Sequence, residues 1–303
     1  MKTMNLKKTE WTGVATLFFS EYCCENKVEG IQGDRYRRYA AGFFKKYFSH
    51  NGLNPHNLMK MEEIPFLSVL NVAVRNSLFD RCVQNLIDRD PGRTVVNIGC
   101  GFDTRYFRLR GYRGLYYDVD YVKVIGLKKR LFRRFNPSCH FTGVRDAFTD
   151  RFWKRELVLD RDNPVIVCEG VFCYIPYRKV VRFVEELFER YPKATLICDV
   201  YLYQQHLVFD DERSRLLLRY PEDGQERYNR HRKFYEFKDY LRRFRKQKLI
   251  SDNLKDKTAL LEVFENKDEK KVSFQGKEYI PSYWIGIYEH SNRGCFCGTE
   301  KKK

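Results

Sequence analysis

Between residues 94 and 201 the apolar pattern of the chain changes period, and that change limits the fold more than any other feature. TVVNIG (94–99), GLYYDVD (114–120), PVIVCEG (164–170) and TLICDVY (195–201) are short runs rich in apolar and β-branched residues. FTGV (141–144) reads as another short strand, and most of the intervening stretches have helical spacing. The clearest is YRKVVRFVEELFERY (177–191), with Val180, Val181, Val184, Leu187 and Phe188 on one face. Continuous apolar strands alternating with helices predict a mostly parallel sheet covered on both faces. Right-handed crossovers then make it a doubly wound α/β fold. Upstream, residues 11–24, 34–48 and 66–90 carry helical spacing, interrupted by Gly30, Gly33 and a Gly52–Pro55 turn. Pro91 and Gly92 end that region. The expected organisation is a helical N-terminal cap over 1–92 and a sheet domain over 93–303. ALLEVF (259–264) and YWIGIYEH (283–290) predict a closing antiparallel hairpin joined by the polar segment ENKDEKK.

Composition narrows the partners without naming one. The 57 Lys and Arg outnumber 40 Asp and Glu, a formal charge of +17, which permits nucleic acid, an anionic surface or acidic ligands. The basic clusters RYRRY (35–39), KKRLFRR (128–134) and LRRFRKQK (241–248) sit amid helix-like apolar spacing, however, and read as solvated helix faces. Nucleic acid is therefore disfavoured. Of the ten cysteines, Cys100, Cys168, Cys173 and Cys198 lie in apolar runs, where the thiol acts as a small hydrophobe. No CxxC spacing occurs, so no metal site is expected. The opening MKTMNLKKTEW lacks an apolar signal core, and no run approaches the ~20 apolar residues of a membrane span. The expectation is a reduced, cytoplasmic protein.

The end of the first strand carries the chemistry. Gly99 and Gly101 fall where the chain leaves the sheet, and ligands of open parallel sheets sit beyond those strand ends. Glycine there permits a sharp turn and a close backbone approach to a ligand. A dinucleotide fingerprint would need a third glycine, and Thr104 holds that position, which disfavours NAD. The second run ends in Asp118-Val119-Asp120, where a carboxylate can accept both hydroxyls of a ribose. Asp146 follows FTGV, and Glu169 ends PVIVC. A glutamate closing so apolar a run would be costly unless it faced a useful partner. A ring of acids suits a nucleoside that carries positive charge and no phosphate, which is S-adenosylmethionine.

VVNIGCGFDTRYFRL, YYDVDYVKVIGLKKRLF and VCEGVFCYIP, in that order, resemble the leucine carboxyl methyltransferase family over about residues 70 to 201. That family has the class I methyltransferase, Rossmann-like fold. It includes enzymes that methylate the C-terminal leucine carboxylate of protein phosphatase 2A catalytic subunits, and a bacterial branch acting on small molecules. The resemblance implies that Arg75, in AVRNSLFD, meets the carboxylate of S-adenosylmethionine. It places the glycine loop on Gly99 and Gly101 and the ribose acid on Asp120, with Asp118 beside it. The adenine-side acid and its neighbour fall on Asp146 and Ala147, and the fourth-strand glutamate falls on Glu169. Two positions depart from the pattern: Ser77 where many relatives carry a second arginine, and Ala147 where leucine is common.

The expected activity is S-adenosylmethionine-dependent O-methylation of a carboxylate, on a protein C-terminus or a small acid. A carboxylate is ionised at neutral pH and needs no base, and none of the six histidines lies in a recognisable catalytic motif. Tyr174 and Tyr201 are candidate substrate-side residues. The competing readings are O-methylation of a hydroxylated metabolite, an RNA-modifying methyltransferase, and a protein that binds S-adenosylmethionine without catalysis.

Overall fold

The computed structural model describes residues 8–28, 31, 33–50, 66–135, 137–149, 152–153, 157–159, 162–199, 258–264, 272–279 and 285–290. Three helices come first: α1 (Lys8–Glu25), α2 (Arg35–His50) and α3 (Phe66–Arg89). The sheet region follows as β1 (Val95–Ile98), β2 (Tyr116–Tyr121), α4 (Val122–Phe132), β3 (Cys139–Val144), β4 (Val165–Cys168), α5 (Tyr177–Arg190) and β5 (Thr195–Asp199). Four further strands are β6 (Thr258–Phe264), β7 (Val272–Phe274), β8 (Lys277–Tyr279) and β9 (Ile285–His290).

The main sheet has seven strands in the order β3-β2-β1-β4-β5-β9-β6. β1 pairs in parallel with β2 and β4, and β2 with β3 and β4 with β5 do likewise. β9 runs antiparallel to both neighbours, so six strands share one direction and β9 opposes them. This is the doubly wound sheet the periodicity predicts. The direction of strand addition reverses between β1 and β4, which opens a crevice at the carboxyl ends of those strands.

Two-residue alternation explains why the strands look uniformly apolar. Val95, Val165, Val167 and Ile197 pack against Phe79, Cys82, Val83 and Ile87 of α3. Their neighbours Val96, Ile98, Ile166, Cys168, Leu196 and Cys198 pack with Val180, Val184, Leu187 and Phe188 of α5. Each face has its own helix, so neither set of side chains meets water. α3, inside the 1–92 segment, thus lies directly on the sheet. α1 packs along α3, where Cys23 meets Val69, Leu70 and Ala73, and α1 and α2 together also cover α4, where Val14, Leu17, Phe44 and Phe48 meet Phe102, Val124, Leu131 and Phe132.

The closing hairpin forms as expected between β6 and β9, with one addition. β7 and β8 make a small separate hairpin in the connection, turning through Gln275 and Gly276 at φ 48° and 72°. Two successive positive φ values are the signature of a tight primed turn. Strands of three residues carry too little periodicity to read from sequence. Among the described residues no helix is long and apolar enough to cross a membrane. Seven described cysteines are free thiols, and all but Cys24 are buried.

Leu187 is fully buried between α5 and the sheet. Leu187→Ala is expected to lower unfolding free energy by about 2–5 kcal/mol, read by denaturant titration. A loss under about 1 kcal/mol would show that α5 does not cover this face.

Candidate functional site

The β1 turn is the floor of the crevice. Gly99 and Gly101 have φ of +64° and +47°, a left-handed backbone that favours glycine. A Cβ on Gly99 would stand 2.5 Å from Val171, and one on Gly101 would stand 3.2 Å from the Cα of Gly13 in α1. The loop is therefore pressed between the β4 turn and the first helix. Its Gly99 and Cys100 N–H groups donate to the Val119 carbonyl at 2.8 and 3.2 Å, which moors it to β2.

The two acids of β2 have different fates. Asp120 accepts from the N–H of Gly101 at 2.8 Å and of Tyr121 at 2.6 Å. Burial raises its pKa, and those two backbone donors oppose the rise. It is only partly covered, at the crevice end of the strand. Asp118, two residues earlier on the same face, is buried. Its carboxylate pairs with Lys128 of α4 at 2.9 Å and accepts from Asn97 at 3.3 Å. Desolvation raises the Asp118 pKa, and Lys128 works against that rise. Burial by itself would lower the pKa of the Lys128 ammonium, but the combined attraction of Asp118, Cys100 and Asp103 raises it. Of the pair, Asp120 alone is presented to the crevice; Asp118 is spent holding α4 to the sheet.

Asp146 lies just beyond β3 and accepts from the Phe148 N–H, while its other oxygen meets Lys179 of α5 at 2.8 Å. Ala147 is buried in the core beside it. Glu169, at the end of β4, is almost fully enclosed. One oxygen accepts from Nε of Arg75 at 2.8 Å, and the other from Arg105 at 2.6 Å and Asn76 at 3.4 Å. Arg75 therefore does reach the crevice, and it does so through Glu169. Its guanidinium lies over Gly170, where a Cβ would come within 3.1 Å of it. The next N–H, that of Gly170 at φ +65°, donates to the buried carboxylate of Asp199 at the end of β5. Ser77 turns back to the Ala73 carbonyl of its own helix. Tyr174 sits half-buried in the short turn after Glu169. Tyr201 lies outside the described residues.

The largest element of the site escaped the sequence reading. Asp103, Arg105 and Arg108, all in the GFDTRYFRL stretch, enter a network with Asp34 ahead of α2 and Asn76 and Asp80 of α3. Arg105 is wholly buried, with Asp80 at 2.8 Å and Asp103 at 2.9 Å in addition to Glu169. Arg108 reaches Asp80 at 2.6 Å and both Asp103 and Asp34 at 3.0 Å. Arg37 of α2 joins through Asn76 at 2.7 Å. Burial alone would raise Asp103, but the two guanidiniums hold its carboxyl well below the usual range. A spacing signal was present: Asn76 and Asp80 are four apart on a helix, and Arg105 and Arg108 are three apart in a 3-10 turn. Each pair shares one face. Nothing local in the sequence shows that those faces meet.

Among the described residues no group of three His, Cys, Asp or Glu side chains could hold a metal ion. The described histidines lie elsewhere: His50 at the end of α2, His140 stacked on Tyr117, and His290 against Phe188. What the crevice offers is a glycine floor, an acid at its rim and a guanidinium held by a glutamate.

Residues 45–188 match the leucine carboxyl methyltransferase family. The matched segment holds α3, the glycine loop, both β2 acids, Asp146, Glu169 and the whole arginine network except Asp34 and Arg37. A relative from Gibberella zeae, the S-adenosyl-L-methionine-dependent methyltransferase dpfgK, is 30% identical over 121 residues. That alignment covers 38% of this chain and 41% of the relative, so the chain matches about two fifths of that protein's length. Among solved structures, a putative methyltransferase from Thermobifida fusca YX aligns with a TM-score of 0.47 at 14% identity, over 91% of this chain and 94% of the other. Magnesium protoporphyrin IX methyltransferase from Synechocystis PCC 6803, solved with bound SAH, gives 0.44 at 14% identity, over 82% and 99%.

Lys128→Met would strand the Asp118 carboxylate in the interior. The expected loss is about 3–5 kcal/mol of unfolding free energy at neutral pH, the cost of breaking a buried pair. Because the folded-state pKa of Asp118 is raised, and rises further without Lys128, the folded variant takes up a proton first as pH falls. The deficit against wild type should therefore shrink on acidification through that pKa. A deficit constant with pH would show that Asp118 is not the group Lys128 serves.

Proposed function

We propose that the chain binds S-adenosylmethionine in the β1–β4 crevice and transfers its methyl group to an oxygen acceptor, a carboxylate. The observation that carries this reading is the joint placement of the glycine loop, Asp120 and the Glu169–Arg75 pair around one strand-end crevice. The match to the leucine carboxyl methyltransferase family and the likeness to the Gibberella zeae methyltransferase support it. In this reading Asp120 accepts the ribose hydroxyls, and the loop backbone at Gly99 and Gly101 takes the nucleoside in close approach. Asp146 and Ala147 lie on the adenine side. Arg75 grips the amino-acid carboxylate with a planar fork, held in place by Glu169. Asp118 supports β2 from beneath and does not touch the ligand. When bound, the sulfonium supplies an electrophilic methyl group.

The residues fit that group. Positive-φ glycines let the chain turn sharply at the strand end with its backbone close to the crevice, and the acids at the rim offer no welcome to a pyrophosphate. The chain's share of the transfer is orientation, since an in-line displacement depends mostly on holding the two centres in register. None of the described histidines stands at the crevice, which favours an acceptor already ionised at neutral pH. The acceptor is a protein C-terminus or a small acid, with Tyr174 on its side of the site. The free, buried thiols agree with a reducing, cytoplasmic setting.

The test is transfer from methyl-tritiated S-adenosylmethionine into candidate acceptors, followed by mild base. Volatile, base-labile label is expected, as from a methyl ester. Stable label would mark an ether and move the reading to a hydroxylated metabolite; label retained in RNA would replace the acceptor class altogether.

Asp120→Ala is expected to weaken S-adenosylhomocysteine binding by about 1–3 kcal/mol by calorimetry, and to lower the melting temperature slightly because the Gly101 and Tyr121 N–H groups lose their acceptor. Glu169→Ala should lower the melting temperature further, because it leaves two arginines facing each other in a buried place. If NAD binds wild type more tightly than S-adenosylhomocysteine does, the nucleoside assignment is wrong.

A further inference from the structure

Arg105 joins the two ends of the crevice without being able to reach into it. It follows the glycine loop directly, and its side chain has 0% exposure. Nε donates to Asp80 and one Nη to Glu169, while the other Nη lies 2.9 Å from Asp103 as an ion pair without hydrogen-bond geometry. Glu169 then spends its second oxygen on Nε of Arg75. Beyond Arg75 stands Gly170, whose missing side chain keeps clear the place where that guanidinium lies.

We propose that Arg105 is the positioning residue of this site: it fixes Glu169, and through Glu169 the guanidinium of Arg75, so that the far end of the crevice recognises a carboxylate. The ligand named here rests on the cofactor reading above. The geometry demands arginine. Only a planar fork can meet three carboxylates that belong to a helix, a loop and a strand end, whereas an ammonium is a point charge. A plain structural staple between α3 and the loop would need Asp80 and Asp103 alone. The third arm, the shortest at 2.6 Å, points instead at the residue that holds Arg75. Glu169 without Arg105 would keep one firm partner and one long contact, to Asn76 at 3.4 Å. Its carboxylate could then rotate, and Arg75 with it.

The experiment compares wild type, Arg105→Lys and Arg105→Met with two probes, S-adenosylhomocysteine and 5′-methylthioadenosine. The second has the same nucleoside but no amino-acid end. Arg105→Lys keeps the buried charge and is the informative variant if Arg105→Met does not fold. In the lysine variant S-adenosylhomocysteine should bind about tenfold more weakly or worse, while 5′-methylthioadenosine stays within about twofold of wild type. A merely structural role would weaken both probes alike or neither, and either result overturns the proposal. A second readout needs no ligand. The Nε–H proton of Arg75, bonded to Glu169, should give a protected NMR resonance in wild type that is lost or exchange-broadened in Arg105→Lys. Its persistence overturns the proposal too. If wild type binds neither probe, the cofactor reading fails by itself, and the Arg75 resonance still decides whether Arg105 positions that side chain.

Discussion

Everything at the candidate site depends on one buried set of balanced charges. Arg37, Arg75, Arg105 and Arg108 face Asp34, Asp80, Asp103 and Glu169, with Asn76 and Thr104 filling the remaining positions. Such an arrangement contributes little net stability, since removing charges from water costs about what their attraction returns. What it contributes is specification. Each carboxylate comes from a different element: the start of α2, the middle of α3, the β1 loop and the end of β4. A displaced element would leave a buried charge without its partner, and that penalty is large enough to reject the alternative.

The glycine loop illustrates the consequence. Gly99 and Gly101 supply conformational freedom, which by itself would make the turn loose. The loop is instead held at three places. Val119 takes its first two N–H groups, Asp120 takes that of Gly101, and Asp103 is gripped by two arginines. Freedom of φ sets the path, and the hydrogen bonds remove the motion. The same logic recurs at β4, where Gly170 adopts a positive φ and Asp199 anchors its N–H.

The fold was readable from sequence because its signal is periodic and local. Five parallel strands could be read as short continuous apolar runs, and three N-terminal helices from side chains repeating every 3.6 residues. The three-residue strands β7 and β8 could not, having less than two periods each. The candidate site was readable as a set of positions, because one residue type at a strand end has few uses and Gly99, Gly101, Asp120, Asp146 and Glu169 stand at such ends. It was unreadable where a role is settled by contact between distant elements. Asp118 and Asp120 look equivalent in the sequence, yet Lys128, ten residues further along on α4, consumes one and leaves the other. Glu169 reads as an acid awaiting a cation, and the cations it meets are Arg75 and Arg105, from segments 94 and 64 residues away.

The charge balance of the interior means that the +17 excess does not come from the network. The network is neutral, four against four, so it adds nothing to the net charge. Arg35, Lys46, Lys129, Arg130, Arg133 and Arg134 are exposed, on α2 and on the end of α4 and the turn that follows it. Arg35 and Arg134 lie over Tyr36, Tyr39 and Phe135, which pack on one another beneath them. These are cations on apolar stems, covering the aromatic seam between the N-terminal helices and α4 while keeping their heads in water. These exposed cations thus help fasten α2 to α4 and the turn that follows it. In the proposed binding mode, the neutral network distinguishes one end of the ligand from the other by position rather than by net charge.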